Sequence, residues 1–248
     1  MKINIIGSGN VASHLAQQLS KSMDILSVYS RNPDHAQMLT DKVGGEVVLN
    51  FDDLPPAADL TIVAVKDDAL SEVVRQIPLT YPVVHTSGSI GLEVFEGFEH
   101  FGVLYPLQTF SKDKNIDFQD VPILIEANSI EFEEQLIALA LNSLSNDVRK
   151  ISAKQRKKIH LAAVIACNFT TQLWAESESI LKEEDMDLSI LIPLIKETIS
   201  KIQEVGPKPA LTGPAKRKDV QVIAAHLNML EGVQKEIYEL ITQRILND

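Results

Sequence analysis

Short apolar runs and helical periodicities alternate over roughly the first 150 residues of the chain. Between the first two runs, Val11, Leu15 and Leu19 recur every four residues, as they do on one face of a helix. Strands that alternate with helices predict a parallel sheet covered on both faces. The predicted strands cover residues 3–6, 25–29, 46–49, 60–65, 82–86, 101–105, 121–126 and 148–151.

The pattern changes near Ser152. Neither glycine nor proline interrupts the helical pattern from Ser152 to about residue 181, and Ser152 is a suitable N-cap. A second helix is predicted over residues 188–204, and the glycine- and proline-rich segment 206–214 predicts a loop. A third helix follows, with an apolar face made of Val220, Ile223, Leu227, Leu230, Ile237 and Ile241.

The length of 248 residues and this change of pattern predict two domains. The first, over residues 1–151, is an α/β domain with a doubly wound parallel sheet. The second, over residues 152–248, is an all-helical domain for substrate binding and dimerisation. Three long helices carry more apolar surface than about a hundred residues can hide alone. A homodimer with an isologous interface on the C-terminal helices is therefore expected.

A glycine turn joins the first predicted strand to the first helix. It reads Gly7-Ser8-Gly9-Asn10-Val11-Ala12. In such turns the first glycine makes the bend, the second lets the backbone approach a pyrophosphate, and the small last residue lets helix and strand pack closely. The free N–H groups of the helix N-terminus then face the phosphates. The turn predicts a Rossmann dinucleotide site, and a purely structural turn is the alternative.

The end of the second strand indicates which dinucleotide binds. Enzymes that use NAD place a carboxylate there to hold the ribose 2′-hydroxyl. Here the chain reads Ser30-Arg31-Asn32, and the first acid is Asp34. A guanidinium suits a 2′-phosphate, which it can bind with two hydrogen bonds. The predicted cofactor is therefore NADP, unless Arg31 is only an exposed surface cation.

Other turns follow strands at the same edge of the predicted sheet, where open α/β sheets bind ligands. Val65 and Lys66 are expected to flank the nicotinamide half, and Asp67 or Asp68 to cap the next helix. Ser87 lies in the segment 85–89, which suits either a ligand pocket or a structural turn. Gln108, in the segment 105–110, is a candidate wall of the substrate site, although packing alone would also explain that segment.

Charge and cysteine content exclude several classes of partner. The net charge of −11 disfavours nucleic acid. The single cysteine, Cys167, excludes an intrachain disulfide and a thiolate metal cluster. No His/Asp/Glu spacing suggests a metal, and no apolar run is long enough to span a membrane. The N-terminus runs straight into a strand without a signal peptide, so a cytoplasmic location is expected.

Candidate catalytic residues lie on the predicted long helix. His160 and Asn168 are eight residues apart, a rotation of roughly 80° net, so both can border one cleft. His160 could supply a proton near neutral pH, and Asn168 could hydrogen-bond a substrate oxygen. The alternative for His160 is a satisfied core histidine. Thr212 and Arg217 are candidate substrate ligands, and the planar guanidinium of Arg217 could bind a carboxylate with two hydrogen bonds. The alternative interpretation of Arg217 is a solvated surface cation.

The order GSGNVA, YSR, VAVKDDA, HTSGS and YPLQTF resembles bacterial Rossmann-like NADP oxidoreductases with a helical C-terminal domain of unknown function. These are relatives of pyrroline-5-carboxylate reductase, ketopantoate reductase and the 6-phosphogluconate dehydrogenase-like superfamily. In the C-terminal half the resemblance rests on the segments 160–163 and 211–214 and on Asn168. It implies an NADP-dependent oxidoreductase, with a ketopantoate-like substrate by family association.

The chain departs from those relatives at three places. Lys66 stands where the turn after the fourth strand usually has a proline. The loop after residue 214 reads Arg217-Lys218-Asp219 instead of Arg-Gly-Asp. Val164 stands where several related reductases have a proton-donating lysine, four residues before the asparagine. The sequence therefore predicts hydride transfer from NADPH to a small carbonyl or imine acid, with a non-catalytic NADP(H)-binding or sensing protein as the alternative.

Overall fold

A computed structural model describes residues 1–112 and 114–247 of the chain. The chain divides into two compact units, Met1–Ala163 and Val164–Asp248. The sequence predicts the boundary earlier, after residue 151. The first unit holds eight strands, β1 Lys2–Ile6, β2 Asp24–Tyr29, β3 Glu46–Val48, β4 Leu60–Val63, β5 Val83–His85, β6 Phe101–Pro106, β7 Ile123–Ala127 and β8 Val148–Lys150.

The strands form one sheet in the order β3-β2-β1-β4-β5-β6-β7-β8. The six strands from β3 to β6 are parallel to one another. Their order is that of a Rossmann sheet, and the direction of winding reverses between β1 and β4. The predicted fold class, an α/β Rossmann domain followed by a helical domain, is confirmed.

The sheet is not wholly parallel, which corrects the sequence prediction. β7 runs antiparallel to β6, with Gly102 opposite Ala127 and Pro106 opposite Ile123, and β8 is parallel to β7. A parallel neighbour needs a crossover, usually a helix, whereas an antiparallel one does not. No helix occurs in the described part of the segment 107–122 that joins β6 to β7. The chain therefore turns back along the edge of the sheet.

Helices cover both faces of this sheet. On one side α1 buries Ala12, Leu15, Ala16 and Leu19, the face that the four-residue spacing predicts. On the other side α3 buries Leu70, Val73 and Val74. Two short 3₁₀ turns, Phe51–Asp53 and Leu92–Phe95, complete the unit. Its helices are α1 Asn10–Leu19, α2 Pro33–Val43, α3 Asp67–Val74, α4 Ile130–Ser143 and α5 Ala153–Ala163.

Helix starts differ in one respect from the sequence prediction. Asn32 caps α2 by accepting from the N–H groups of Asp34 and His35. Ser152 and Gln155 form a reciprocal capping box before α5. By contrast, neither Asp67 nor Asp68 caps α3. The helix begins at Asp67 itself, and its N-cap Lys66 makes no side-chain cap hydrogen bond.

The second unit is helical in the part of the chain that the structure describes. A π-helical segment, Val164–Phe169, follows α5, so the predicted long helix is not regular throughout. The predicted third helix is two helices, since Leu230 and Glu231 are extended and Gly232 has φ +53°. Besides a 3₁₀ turn at Leu188–Leu191, the unit has α6 Thr170–Lys182, α7 Ile192–Val205, α8 Pro207–Ala210, α9 Pro214–Arg217, α10 Val220–Met229 and α11 Gly232–Leu246.

Burial differs sharply between the two units. The first has apolar clusters centred on β1, β4 and β5. Among the described residues of the second unit, only Ala215 and Thr242 are buried. Cys167 is exposed there. In the described chain no helix is long and apolar enough to cross a membrane.

Candidate functional site

A cleft of about 750 Å³ lies at the carboxyl ends of the parallel strands. All of its walls belong to the first unit. The glycine turn after β1 and the turn after β2 line one part, and the turns after β4, β5 and β6 line the other. The lining residues are Gly7, Ser8, Gly9, Asn10, Val11, Tyr29, Ser30, Arg31, Asn32, His35, Ala64, Val65, Lys66, Asp67, Ala69, Val73, Thr86, Ser87, Gly88, Tyr105, Gln108, Phe110 and His160.

The two glycines of the turn meet different requirements. Gly7 has φ +119°, and a Cβ there would collide with the carbonyl oxygen of Ala64, the residue that follows β4. Gly9 has φ −73°, which any residue adopts, and a Cβ there would meet no atom within 4 Å. The backbone therefore needs Gly7 for its own fold, whereas the space above Gly9 opens into the cleft.

Polar groups gather where the second strand ends. The hydroxyls of Ser8 and Ser30 are 2.7 Å apart and bridge the first two turns. Arg31 is exposed at the rim, and its guanidinium makes no hydrogen bond or ion pair with the described residues. His35, in the first turn of α2, lines the same wall. No carboxylate takes the position that holds a ribose 2′-hydroxyl in NAD sites.

The turn after β5 is built around a buried histidine. Nδ1 of His85 accepts from the N–H of Ser87, so Nε2 carries the hydrogen and donates to the carbonyl of Gly91. Burial, and then the positive charge of Arg156, lowers the pKa of His85 to about 4. The hydroxyl oxygen of Ser87 accepts from the N–H groups of Ser89 and Ile90. His85 is therefore a neutral structural residue, and the turn presents Ser87 and Gly88 to the cleft.

A tyrosine and a histidine meet at the other end of the cleft. The hydroxyl of Tyr105, near the end of β6, is 3.0 Å from Nδ1 of His160 on α5. Both side chains are partly buried and both line the cleft. Burial, with a smaller effect of the Asp67 carboxylate, raises the pKa of Tyr105, and Arg156 opposes that rise. This is the site's one direct contact between two titratable side chains among the described residues.

A buried arginine fixes the helix that carries His160. The side chain of Arg156 is fully buried, one turn before His160. It donates to the carboxylate of Glu126 on β7 and to the carbonyl of Ile90. The other oxygen of Glu126 accepts from the N–H of Ala153, at the start of α5. These bonds tie α5 to the sheet and to the turn after β5.

Most of the predicted site residues share the cleft. The structure brings together the glycine turn, Ser30, Arg31, Val65, Lys66, Ser87, Gln108 and His160. Three predicted residues lie in the second unit, where all three are exposed. They are Asn168 on the π-helical segment, Arg217 at the end of α9, and Thr212, which lines an apolar cavity of about 350 Å³ near His226 and Tyr238. Their roles stay predictions.

Across the described residues no group of three His, Cys, Asp or Glu side chains suits a metal ion.

The sequence prediction gave no role to the cleft residue His35, and it treated Gly88 and Tyr105 only as parts of candidate pocket walls. His35 had a usable signal, because it follows the cap Asn32 in the first turn of α2 and so shares the edge with Arg31. The contacts of Gly88 and Tyr105 with His160 had no local signal, since His160 lies on a helix more than fifty residues further along the chain.

The strand order, the glycine turn at its reversal point and the open cleft above it define a Rossmann-fold dinucleotide-binding protein. Residues 2–84 match the family described as NADP oxidoreductase coenzyme F420-dependent, and residues 121–245 match the domain of unknown function DUF2520. A comparison with curated proteins gave no match.

Solved structures give a closer comparison. A candidate NADP oxidoreductase from Bacteroides fragilis has 40% identity and a TM-score of 0.91, over 100% of this chain and 98% of that one. An imine reductase from Myxococcus stipitatus, in complex with NADP⁺, has 15% identity and a TM-score of 0.70, over 100% and 92%. A 1-pyrroline-5-carboxylate reductase from Streptococcus pyogenes has 15% identity and a TM-score of 0.66, over 100% and 99%. At such identity the last two share the fold alone.

The chain belongs to the family of NADP oxidoreductases that carry the DUF2520 domain. The resemblance inferred from the sequence is thereby confirmed, as is NADP(H) as the cofactor that Ser30 and Arg31 predict.

Proposed function

We propose that this protein is a reductase that transfers hydride from NADPH to a small carbonyl or imine acid. One observation supports this most directly. A single cleft joins a turn suited to a dinucleotide at one end to the Tyr105–His160 pair at the other. A protein that only bound NADP(H) would need the first end and not the second.

The cleft fits the cofactor in three respects. The space above Gly9 admits a pyrophosphate, and the N–H groups at the start of α1 face it. Arg31 and the Ser30 hydroxyl would hold the 2′-phosphate, and Val65 and Lys66 would flank the nicotinamide half; all four residues line the cleft. When bound, NADPH supplies the hydride and the protein supplies orientation and a proton.

The chain's own residues would then hold the substrate and its proton. His160 would supply that proton, and Gln108 would contact the substrate; both side chains line the cleft. Asn168 stays a candidate ligand of the substrate oxygen and Arg217 of its carboxylate, and Thr212 stays a further candidate substrate ligand. A ketopantoate-like acid is one member of the proposed substrate class.

Fluorescence titration tests cofactor choice. If Arg31 binds the 2′-phosphate as proposed, NADPH should bind at least about tenfold more tightly than NADH, near 1.4 kcal/mol. Arg31→Ala should remove most of that preference. Arg75→Ala, which changes an exposed arginine outside the cleft, is the matched control and should retain it. Equal affinities of the unmodified protein for the two cofactors would contradict the proposal.

Turnover is tested by NADPH oxidation with a panel of 2-oxo acids, cyclic imine acids and coenzyme F420. The last is included because the family that matches residues 2–84 is described as F420-dependent. We expect reduction of at least one carbonyl or imine acid. Asn168→Ala should then lower turnover and leave NADPH affinity unchanged. Tight NADPH binding without turnover across the panel would instead support the sensing protein.

We further infer that the protein is a homodimer assembled through its C-terminal helices, as the sequence predicts. The scarcity of buried residues in the second unit supports this. The expected cytoplasmic location stays a prediction.

A further inference from the structure

We propose that Tyr105 donates the proton to the substrate, and that His160 orients its hydroxyl and resupplies the proton. The proposal rests on the reductase function proposed above and changes the part that His160 plays in it. His160 becomes a positioning residue behind Tyr105, and Tyr105 becomes the group that touches the substrate.

The first argument is the location of the phenol. Tyr105 lies on β6, next to β5, at the edge where the glycine turn and the turn after β4 also open into the cleft. Its oxygen is 3.0 Å from Nδ1 of His160, and the two rings meet edge to face with centroids 6.0 Å apart. A substrate in this cleft would therefore meet a hydroxyl that already has a fixed partner.

The second argument is the absence of a side chain at residue 88. A Cβ on Gly88 would lie 2.6 Å from Nδ1 of His160 and 2.9 Å from Cζ of Tyr105. Gly88 is buried, and no positive φ explains its identity. The turn after β5 thus has room for the imidazole and the phenol only because residue 88 is glycine. The Tyr105–His160 contact therefore depends on the packing of β6, α5 and the turn after β5.

The third argument is that Tyr105 keeps its proton until it is needed. Burial and the Asp67 carboxylate on α3 both favour the neutral phenol, and the Arg156 guanidinium on α5 opposes them without reversing the direction. A neutral phenol is a hydrogen-bond donor and an acid of moderate strength. It can polarise a carbonyl or imine and protonate the strongly basic oxygen or nitrogen that hydride addition produces.

The direction of the hydrogen bond follows from this role. His160 donates from Nδ1 to the Tyr105 oxygen, which leaves the phenol hydrogen free to point into the cleft. During reduction the phenol O–H bond breaks and the proton goes to the substrate oxygen or nitrogen. Nε2 of His160 takes a proton from solvent as Nδ1 passes its hydrogen to the Tyr105 oxygen, so the imidazole stays neutral. Exchange with water then returns the hydrogen from Nε2 to Nδ1. NADPH, which gives up the hydride, is the species oxidised.

The first experiment measures turnover and cofactor binding separately. Tyr105→Phe keeps the ring and removes only the hydroxyl. Its kcat on the carbonyl or imine acid found in the panel should fall by at least about 100-fold, within the range for a general acid, while NADPH affinity stays within about twofold. The matched control is Tyr238→Phe, which removes the hydroxyl of a similar tyrosine–histidine pair in the second unit, bonded to His226 at 2.8 Å. That variant should retain full turnover.

A second readout tests His160 as a positioning residue. His160→Gly should lose turnover, and added imidazole should restore part of it, which a purely structural role would not allow. Nitrogen NMR of ¹⁵N-histidine protein, with the His160 signal assigned from His160→Ala, reports which ring nitrogen carries the hydrogen. We expect Nδ1 in the neutral ring, and a shift toward Nε2 in Tyr105→Phe.

These outcomes separate the two proposals. If NADPH binds and the panel gives no turnover, the reductase function fails, and the NMR result still decides the direction of the hydrogen bond. If the panel gives turnover and Tyr105→Phe retains it, the Tyr105 proposal is wrong and the reductase stands. A neutral His160 with its hydrogen on Nε2 would also overturn the proposed relay.

Discussion

Gly7 and Gly9 stand two residues apart and are glycine for different physical reasons. The φ of +119° and the nearby Ala64 carbonyl fix Gly7 from within the protein. Nothing in the fold requires glycine at Gly9, because its φ is ordinary and the space around it is open. The sequence pattern predicts both, but only the structure shows that the fold itself requires glycine at the first position and not at the second.

Gly9→Ala should therefore fold normally and bind its cofactor poorly. We expect an unchanged Tm without cofactor and an NADPH affinity at least about tenfold weaker, near 1.4 kcal/mol. Gly7→Ala should lower the Tm, because strain at a positive φ costs about 1–3 kcal/mol before the collision with Ala64 is added.

Gly44→Ala is the control for this pair. Gly44 has φ +79° and open space around it, at the end of α2 and away from the cleft. It should lose stability and retain NADPH binding. A Gly9→Ala protein that binds NADPH as tightly as the unmodified chain would contradict the assignment of the turn.

At the scale of elements, the sequence predicts where strands and helices occur better than it predicts the direction of a strand or the point where a helix is interrupted. The apolar run of β7 reads the same whether the strand is parallel or antiparallel, so its reversal had no local signal. The break between α10 and α11 had a local signal in Gly232. However, the apolar positions on either side continue a helical period across the break, so the sequence predicts one helix. The capping role of Asn32 was also readable, since Pro33 follows it at the first helical position.

The turn after β5 should make the protein less stable in mild acid. His85 has a pKa of about 4 in the fold against 6.5 ordinarily, so below pH 6.5 the unfolded chain binds a proton that the folded chain does not. The free energy of unfolding should fall as the pH drops from 6.5 toward 4, by up to roughly 3 kcal/mol from this group. Asp67, Glu93 and Arg156 are its charged neighbours.

Urea denaturation at pH 6.5 and pH 4.5 measures this effect. His85→Asn should lower the free energy of unfolding at both pH values, and the difference between the two values should be smaller than in the unmodified protein. His35→Asn, which changes an exposed histidine, should leave the fall as it is in the unmodified protein. An equal fall in His85→Asn and the unmodified chain would show that other groups cause it.

At the scale of the whole molecule, the second unit lacks the interior that a stable domain needs. Its described residues include only Ala215 and Thr242 as buried side chains. Large apolar side chains such as Leu194 and Leu240 are more than 60% exposed. Burying that surface against a second copy would supply the missing core, at about 25 cal/mol per Å².

Light scattering at micromolar concentration should therefore give twice the mass of one chain. Leu194→Arg and Leu240→Arg, each of which places a charge on this apolar surface, should weaken the dimer or unfold the second unit. Leu79→Arg changes a comparably exposed leucine in the first unit and should leave the dimer intact. A monomeric unmodified protein would exclude this assembly.

Because β7 runs antiparallel to β6, the residue that holds Arg156 lies opposite the middle of β6. The guanidinium of Arg156 donates a hydrogen bond to the carboxylate of Glu126, which lies opposite Val103 on β6. From Arg156 to His160, one turn of helix rises about 6 Å. From Val103 to Tyr105, two residues of strand rise about 7 Å. His160 and Tyr105 thus lie similar distances along their own elements from this anchored contact, and the phenol oxygen is 3.0 Å from Nδ1 of the imidazole. One residue added between Arg156 and His160 would turn the imidazole by about 100° and leave the anchor in place. The spacing of those two residues therefore matters to the proposed site as much as their identities do.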